Sequence, residues 1–237
     1  MKLLQTRRQI VLGLAVLVLI AAVVYGFVTS RGGDATSTYE GLVTQQDVDM
    51  DEETRFIFEN RVMIFQAALA AQEAFEEQTG QRVDWDLYLE IASNANIIGD
   101  LATARENYQA LLQLNPLHYA AWNNYGGILV QMKDFDAAED AYLQAIDIFP
   151  TQEAYRDYVA LLERPETSDR DEEVLEILQD GVRRLGQQTW FMVRLAQWYL
   201  EHDDCDQALA HYKVAMQLAP EREAIQKDYQ EARASCR

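Results

Sequence analysis

Apolar and polar positions divide the chain into three stretches. Ile10 to Val28 contains no charged residue and is largely aliphatic. As a helix at 1.5 Å per residue it is about 28 Å long, close to the ~30 Å hydrocarbon core of a bilayer. From 29 to 50 the pattern breaks into Gly, Ser, Thr and acidic residues, a composition that predicts a flexible tether. Beyond that, apolar residues recur every three or four positions to the end of the chain, the period of helices and not of strands. An all-α protein is expected. Its first helix covers 51–80, where Phe56, Phe58, Val62, Phe65, Leu69 and Phe75 keep mostly helical spacing up to Gly80.

The remaining helices come in pairs that repeat. In 121–150, Trp122, Tyr125, Gly126 and Leu129 share a face of one helix, Ala138, Tyr142 and Ala145 share a face of the next, and Pro150 closes the pair. Pro116 and Pro150 are 34 apart, as are Tyr108 and Tyr142, Ala104 and Ala138, Asp100 and Asp134, and Tyr88 and Trp122. A further step of 70 reaches Pro220, Tyr212, Ala208, Asp204 and Met192, so a unit with two extra residues lies between. The units begin at Trp85, Tyr119, Glu153 and Thr189, which gives 85–118, 119–152, 153–188 and 189–222, followed by a polar closing helix over 223–237. Small residues at the eighth position (Ala92, Gly126, Ala160, Ala196) and the twentieth (Ala104, Ala138, Ala208) let antiparallel helices approach closely. The closing proline stops the second helix. The third unit is the least regular: its turn, Arg164 to Arg170, is longer, and Gly181 and Gly186 replace the usual Ala and Pro.

This layout resembles the tetratricopeptide repeat, a 34-residue helix-turn-helix unit marked by Trp-x-x-Leu-Gly-x-x-Tyr, then Ala-x-x-x-Phe, then Pro. The resemblance implies a right-handed α-solenoid of four repeats, the third degenerate, preceded here by one transmembrane helix. The helix over 51–80 then caps the first repeat, with a dimerisation helix as the alternative. In this family the first helices line a concave groove, chiefly through their second, fifth, sixth, ninth and twelfth positions. The candidate partner-binding residues are Asn96, Asn123, Asn124, Gly127, Gln131, Asp157, Arg164, Trp190, Arg194 and Gln197, with Asp86, Leu89, Ser93, Leu161 and Val193 at the same register. Asn amides both donate to and accept from an extended backbone, and Gly127 lets one come close. Ordinary helix-surface polarity is the other reading of Asn123 and Asn124. Trp190 is either an anchor or packing against the third unit. The clamp by which chaperone adaptors of this family hold a C-terminal carboxylate needs Lys where Leu89 stands, so that activity is not carried over.

Charge sets orientation and partner class. Lys2, Arg7 and Arg8 precede the apolar span while Arg31 alone follows closely, which predicts a cytoplasmic N-terminus (1–9), an uncleaved signal-anchor at 10–28 and repeats outside the cytoplasm, at the plasma (inner) membrane. The whole chain carries −19, and residues 1–31 hold four basic and no acidic side chains, leaving −23 for the rest. Nucleic acid, which needs a basic footprint, is excluded as a partner. A basic or neutral protein or extended peptide is accommodated; simple solubility of an exported domain accounts for the acidity equally well. The acidic run from Asp47 to Glu53 suits a helix N-terminus better than a cation site.

Candidate chemistry is sparse. His202-Asp-Asp-Cys205 is the one cluster with metal-ligand types, but it falls in an inter-helix turn without a converging third element. Neither a phosphate loop nor a nucleophile elbow is present, so no enzyme, metal or cofactor is expected. In the repeat register Cys205 opens the second helix of the fourth unit and Cys236 ends the closing helix, so antiparallel packing can bring them together as a disulfide. The alternative leaves Cys205 in the slot held by Leu101 and Phe135, with Cys236 free. The expected function is a membrane-anchored scaffold that assembles or chaperones envelope complexes, as bacterial envelope proteins of similar layout do in cytochrome c maturation and secretion. A cytosol-facing receptor or co-chaperone adaptor on an organelle is the alternative.

Overall fold

The computed structural model describes residues 50–80, 84–167 and 170–236, all within one compact unit, Val43–Arg237. The predicted anchor at 10–28, its N-terminal flank and the tether up to residue 49 lie outside the described residues. Among the described residues there are ten α-helices, one short 3-10 turn and no strand, and no helix is long and apolar enough to cross a membrane.

Helix α1, Glu52–Thr79, starts at Asp51, whose carboxylate accepts from the Thr54 N–H, and stops at Gly80 with φ 73°. Val62 is buried, and Phe65 and Leu69 pack beside it. Phe56 and Phe75 leave that stripe and are 63% and 51% exposed. Each stands six residues from Val62 or Leu69, one and two-thirds helical turns, and so comes out on another face. Ile57 and Met63 are exposed with them.

Four helix pairs follow: α2 (Trp85–Ile97) with α3 (Leu101–Leu114), α4 (Tyr119–Gln131) with α5 (Phe135–Ile148), α6 (Gln152–Leu162) with α7 (Asp171–Leu185), and α8 (Thr189–Glu201) with α9 (Cys205–Leu218). Helix α10, Glu223–Ser235, closes the stack. Helices α3, α5 and α9 end two residues before Pro116, Pro150 and Pro220. Side chains cap the helix starts: Asp84, Asp100, His118, Thr151 and Asp204 each accept a backbone N–H of their first turn. Between the helices of three pairs the chain makes one left-handed step, at Gly99 (φ 79°), Lys133 (φ 62°) and Asp203 (φ 58°). Only the first of these is glycine, so the step was invisible in the sequence.

At several close helix contacts one side is reduced to glycine or alanine. A Cβ on Gly126 would meet the Tyr142 ring at 2.7 Å, and one on Gly181 would collide with the Phe191 ring. Ala92, Ala104, Ala138, Ala196 and Ala208 are fully buried in corresponding places. Ala160 is not. It is exposed, while Val159 is 1% exposed, so the third unit starts one residue earlier than the spacing predicts, at Gln152. With that shift Val159 takes the small-residue slot. Leu161, expected on the groove, is instead 2% exposed, and Leu89 is 8% exposed; both belong to the core.

Polar contacts hold this irregular third unit. Arg170 donates to Glu139 at 2.6 and 2.8 Å and also to Glu173, and the Tyr158 hydroxyl donates to Glu139 at 3.0 Å. The Arg170 hydrogen bonds, then that of Tyr158, hold the Glu139 carboxyl below its ordinary pKa against the effect of burial. At the far end a disulfide joins Cys205, the first residue of α9, to Cys236, just past α10, with Cα atoms 5.7 Å apart.

The adjacent glycines of α4 give opposite expectations. Gly126→Ala forces the added methyl into Tyr142, and overpacking of this kind costs about 1 to 3 kcal/mol. Gly127→Ala adds a methyl 3.8 Å from the Tyr142 hydroxyl, an ordinary contact, so the better helix propensity of Ala stabilises by up to about 1 kcal/mol. Urea midpoints of the two variants therefore move in opposite directions from the parent. Movement in the same direction contradicts the packing.

Candidate functional site

The first helices of successive pairs stand side by side, and side chains join each to the next. Gln131 of α4 donates to Asn96 Oδ1 of α2 at 3.2 Å. Asn123 of α4 donates to Asp157 Oδ2 of α6 at 2.9 Å. Arg194 of α8 pairs with Glu163, the residue just past α6, and also donates to Gln197 Oε1 at 2.7 Å. These contacts form a polar seam along one side of the stack.

The predicted residues divide by what they do along it. Asn123 is 8% exposed, and its Oδ1 is sealed without a partner, so this amide is an inter-helix strut and not a free ligand. Asn124, next to it, is half-buried and makes no side-chain hydrogen bond to a described residue. Gly127 is half-buried, and a Cβ there would meet only the Tyr142 hydroxyl, at 3.8 Å. Arg164 lies over the Phe135 ring, 5.6 Å from its centroid, with its Nε buried and 3.8 Å from the Glu166 carboxylate; its charge is already engaged within its own turn. Trp190 packs edge-on against Phe191 of its own helix at 5.1 Å and is partly buried at the core boundary. His202 stacks on Trp198 with ring centroids 3.8 Å apart, and its Nδ1 is 2.8 Å from the Trp198 carbonyl oxygen. Cys205 is in the disulfide, so residues 202–205 do not converge. Among the described residues no group of three or more His, Cys, Asp and Glu side chains is placed to hold a metal ion.

Sequence reasoning missed the tyrosines beneath the seam. Tyr108, Tyr142 and Tyr212 are buried and share one position of the repeat. Their rings separate the paired helices, and their hydroxyls come up at the ninth position of the first helix: the Tyr108 hydroxyl is 3.3 Å from Ser93 Oγ, that of Tyr142 faces Gly127, and Tyr212 borders the same hollow as Gln197. The 34-residue period showed that these residues matter. It did not show which way they point.

Asp157 and Glu163 are the carboxyl groups of the seam, and burial raises both pKa values. At Asp157 it acts against the hydrogen bond from Asn123 and the charge of Arg156. His118 is shifted down by burial while its Nδ1 caps α4 by accepting from Ala121 at 3.0 Å.

A family model described as tetratricopeptide repeat matches residues 98–153. Among solved structures, the chain resembles MamA with TM-score 0.51 and 16% identity, over 62% of this chain and 80% of that one. It resembles YrrB, described as a tetratricopeptide protein with an unusual peptide-binding site, with TM-score 0.50 and 16% identity over 69% and 82%. For yeast Tom70 the TM-score is 0.54 and the identity 17%, over 80% of this chain and 45% of that one. At such identities the likeness is one of fold. No curated protein sequence matches the chain.

Because the folded state raises the Asp157 pKa, the stability this group contributes is present at low pH and is lost as pH rises through the raised value. Asp157→Asn removes the buried charge and keeps an acceptor for Asn123. The variant is expected to melt higher than the parent at pH 7, with the gain shrinking as the pH falls toward the ordinary carboxyl value. A variant that melts lower at pH 7, or a gain independent of pH, contradicts the assignment.

Proposed function

We propose that this chain, which belongs to the tetratricopeptide repeat family, seats an extended polypeptide along the seam of its first helices. The scaffold role rests on the repeat family; the choice of seam rests on one observation. Successive first helices are tied together by Asn96–Gln131, Asn123–Asp157 and Glu163–Arg194, while Asn124 and the half-buried Gly127, which lacks a side chain, remain for a ligand. An extended backbone brings unpaired N–H and C=O groups that an amide such as Asn124 can satisfy. The peptide-binding site of YrrB gives a precedent for the fold. No catalytic role is assigned.

In this reading residues 10–28 anchor the protein in the inner membrane, N-terminus inside, and the repeats work outside the cytoplasm in assembly or chaperoning of envelope complexes. The Cys205–Cys236 disulfide supports that side of the membrane, since such bonds persist in oxidising compartments and are rare in the cytosol. It weighs against a cytosol-facing receptor.

A photo-crosslinking amino acid placed at Asn124 tests both parts in intact cells. The expected product joins the chain to a polypeptide, and the same substitution at Gln113, exposed on second helix α3, gives none. Protease added to the outside of spheroplasts is expected to digest the repeats. Equal crosslinking at both positions overturns the seam as the site, and repeats protected until the membrane is dissolved overturn the orientation.

A further inference from the structure

Between α8 and α10, above the ring of Tyr212 from α9, lies an open hollow of about 310 Å3. Gln197 and Leu200 form one wall, Asp228 and Glu231 the other, and Tyr212 the floor. That volume is at the small end of pockets that hold small molecules, about 300 to 1,000 Å3, and suits one long side chain. It continues the seam: Gln197 belongs to it, and Asp228 and Glu231 occupy in α10 the sixth and ninth positions that line the groove in the earlier first helices.

The hollow is acidic, and its floor carries an unused polar group. After burial, the charges of Asp228, Glu201 and Glu231 all raise the pKa of the Tyr212 hydroxyl, and Arg194 alone opposes them. Arg194 is already engaged by Glu163 and Gln197. The wall acids have one ion pair between them, Glu231 with Lys227 at 3.5 Å, well exposed and so weak. Tyr212 is 3% exposed yet makes no hydrogen bond to a described residue, whereas buried hydroxyls are normally bonded. Its oxygen is also not among the sealed polar atoms, so it opens on the hollow. A ligand that donates hydrogen bonds and carries positive charge meets all three groups at once.

We propose that this hollow is the subsite for one lysine or arginine side chain of the polypeptide in the groove. Asp228 and Glu231 pair with the cationic head, the Tyr212 oxygen accepts one of its N–H groups, and Leu200 covers the stem. The disulfide at Cys236 pins the helix that carries the two acids, an end that would otherwise fray. This inference rests on the groove reading and narrows it to a partner with a basic residue in its bound segment.

Short random peptides displayed on phage and selected on the full chain provide the probe. The best binders are resynthesised with each Arg replaced by citrulline and each Lys by norleucine. One basic position is expected whose replacement weakens binding about tenfold, as for a desolvated charge pair. Asp228→Asn combined with Glu231→Gln is expected to weaken the basic peptide by the same factor and leave its neutral analogue unchanged. Tyr212→Phe, which keeps the ring and therefore the packing, is expected to cost about threefold. Binders that need Asn124 but show no basic position coupled to Asp228 and Glu231 overturn the subsite and leave the groove standing. Binders indifferent to both Asn124 and the two acids, or no binders at all, overturn both.

Discussion

The structure depends on a close approach that recurs between neighbouring helices: a residue with little or no side chain against a large one. At Gly126 the Tyr142 ring occupies the place of a Cβ, and at Gly181 the Phe191 ring does the same. Interiors are packed to crystal density, so a single added carbon at such a point must displace a ring. The contact also fixes function at one remove. In the second unit it holds the first helix against its second, and between the third and fourth units it joins α7 to α8; the buried tyrosines at 108, 142 and 212 share the position that Tyr142 occupies. Core and groove are two ends of the same side chains.

A solenoid is stabilised by each unit and its neighbours, with no shared central core. An irregular unit in the middle must therefore find substitutes locally. The third unit does so with polar contacts: Arg170 ties its long turn to Glu139 in the preceding pair, Tyr155 donates to Asp180, and Arg184 donates to the Ile146 carbonyl at 2.9 Å. At the C-terminal end the substitute is covalent, the disulfide that fastens α10 to α9.

Much of this was legible in the residues. The 34-residue spacing of Pro, Tyr, Ala and Asp located three of the four pairs with their correct starts, because those residue types have one physical reason each to recur. The third unit was placed one residue late because Val159 stands where a small residue was sought, and neighbouring Ala160, of the expected type, is exposed. The left-handed steps at Lys133 and Asp203 were hidden because tertiary packing imposes a conformation that neither residue type advertises. Groove positions could be named but not assigned: Asn123 and Asn124 are equivalent in composition, and only the 2.9 Å contact with Asp157 makes one a strut and leaves the other without a side-chain hydrogen bond to a described residue. The acidic hollow needed the tertiary structure altogether, since Tyr212 and Glu231 are brought together by the return of α10.

The central claim is that a polypeptide lies along the first helices. Hydrogen–deuterium exchange of the full chain, alone and with the polypeptide captured at Asn124, measures this most directly. The account predicts added protection in α2, α4, α6 and α8 and none in α3, α5 and α9. Protection confined to the second helices, or to the exposed face of α1, would contradict it.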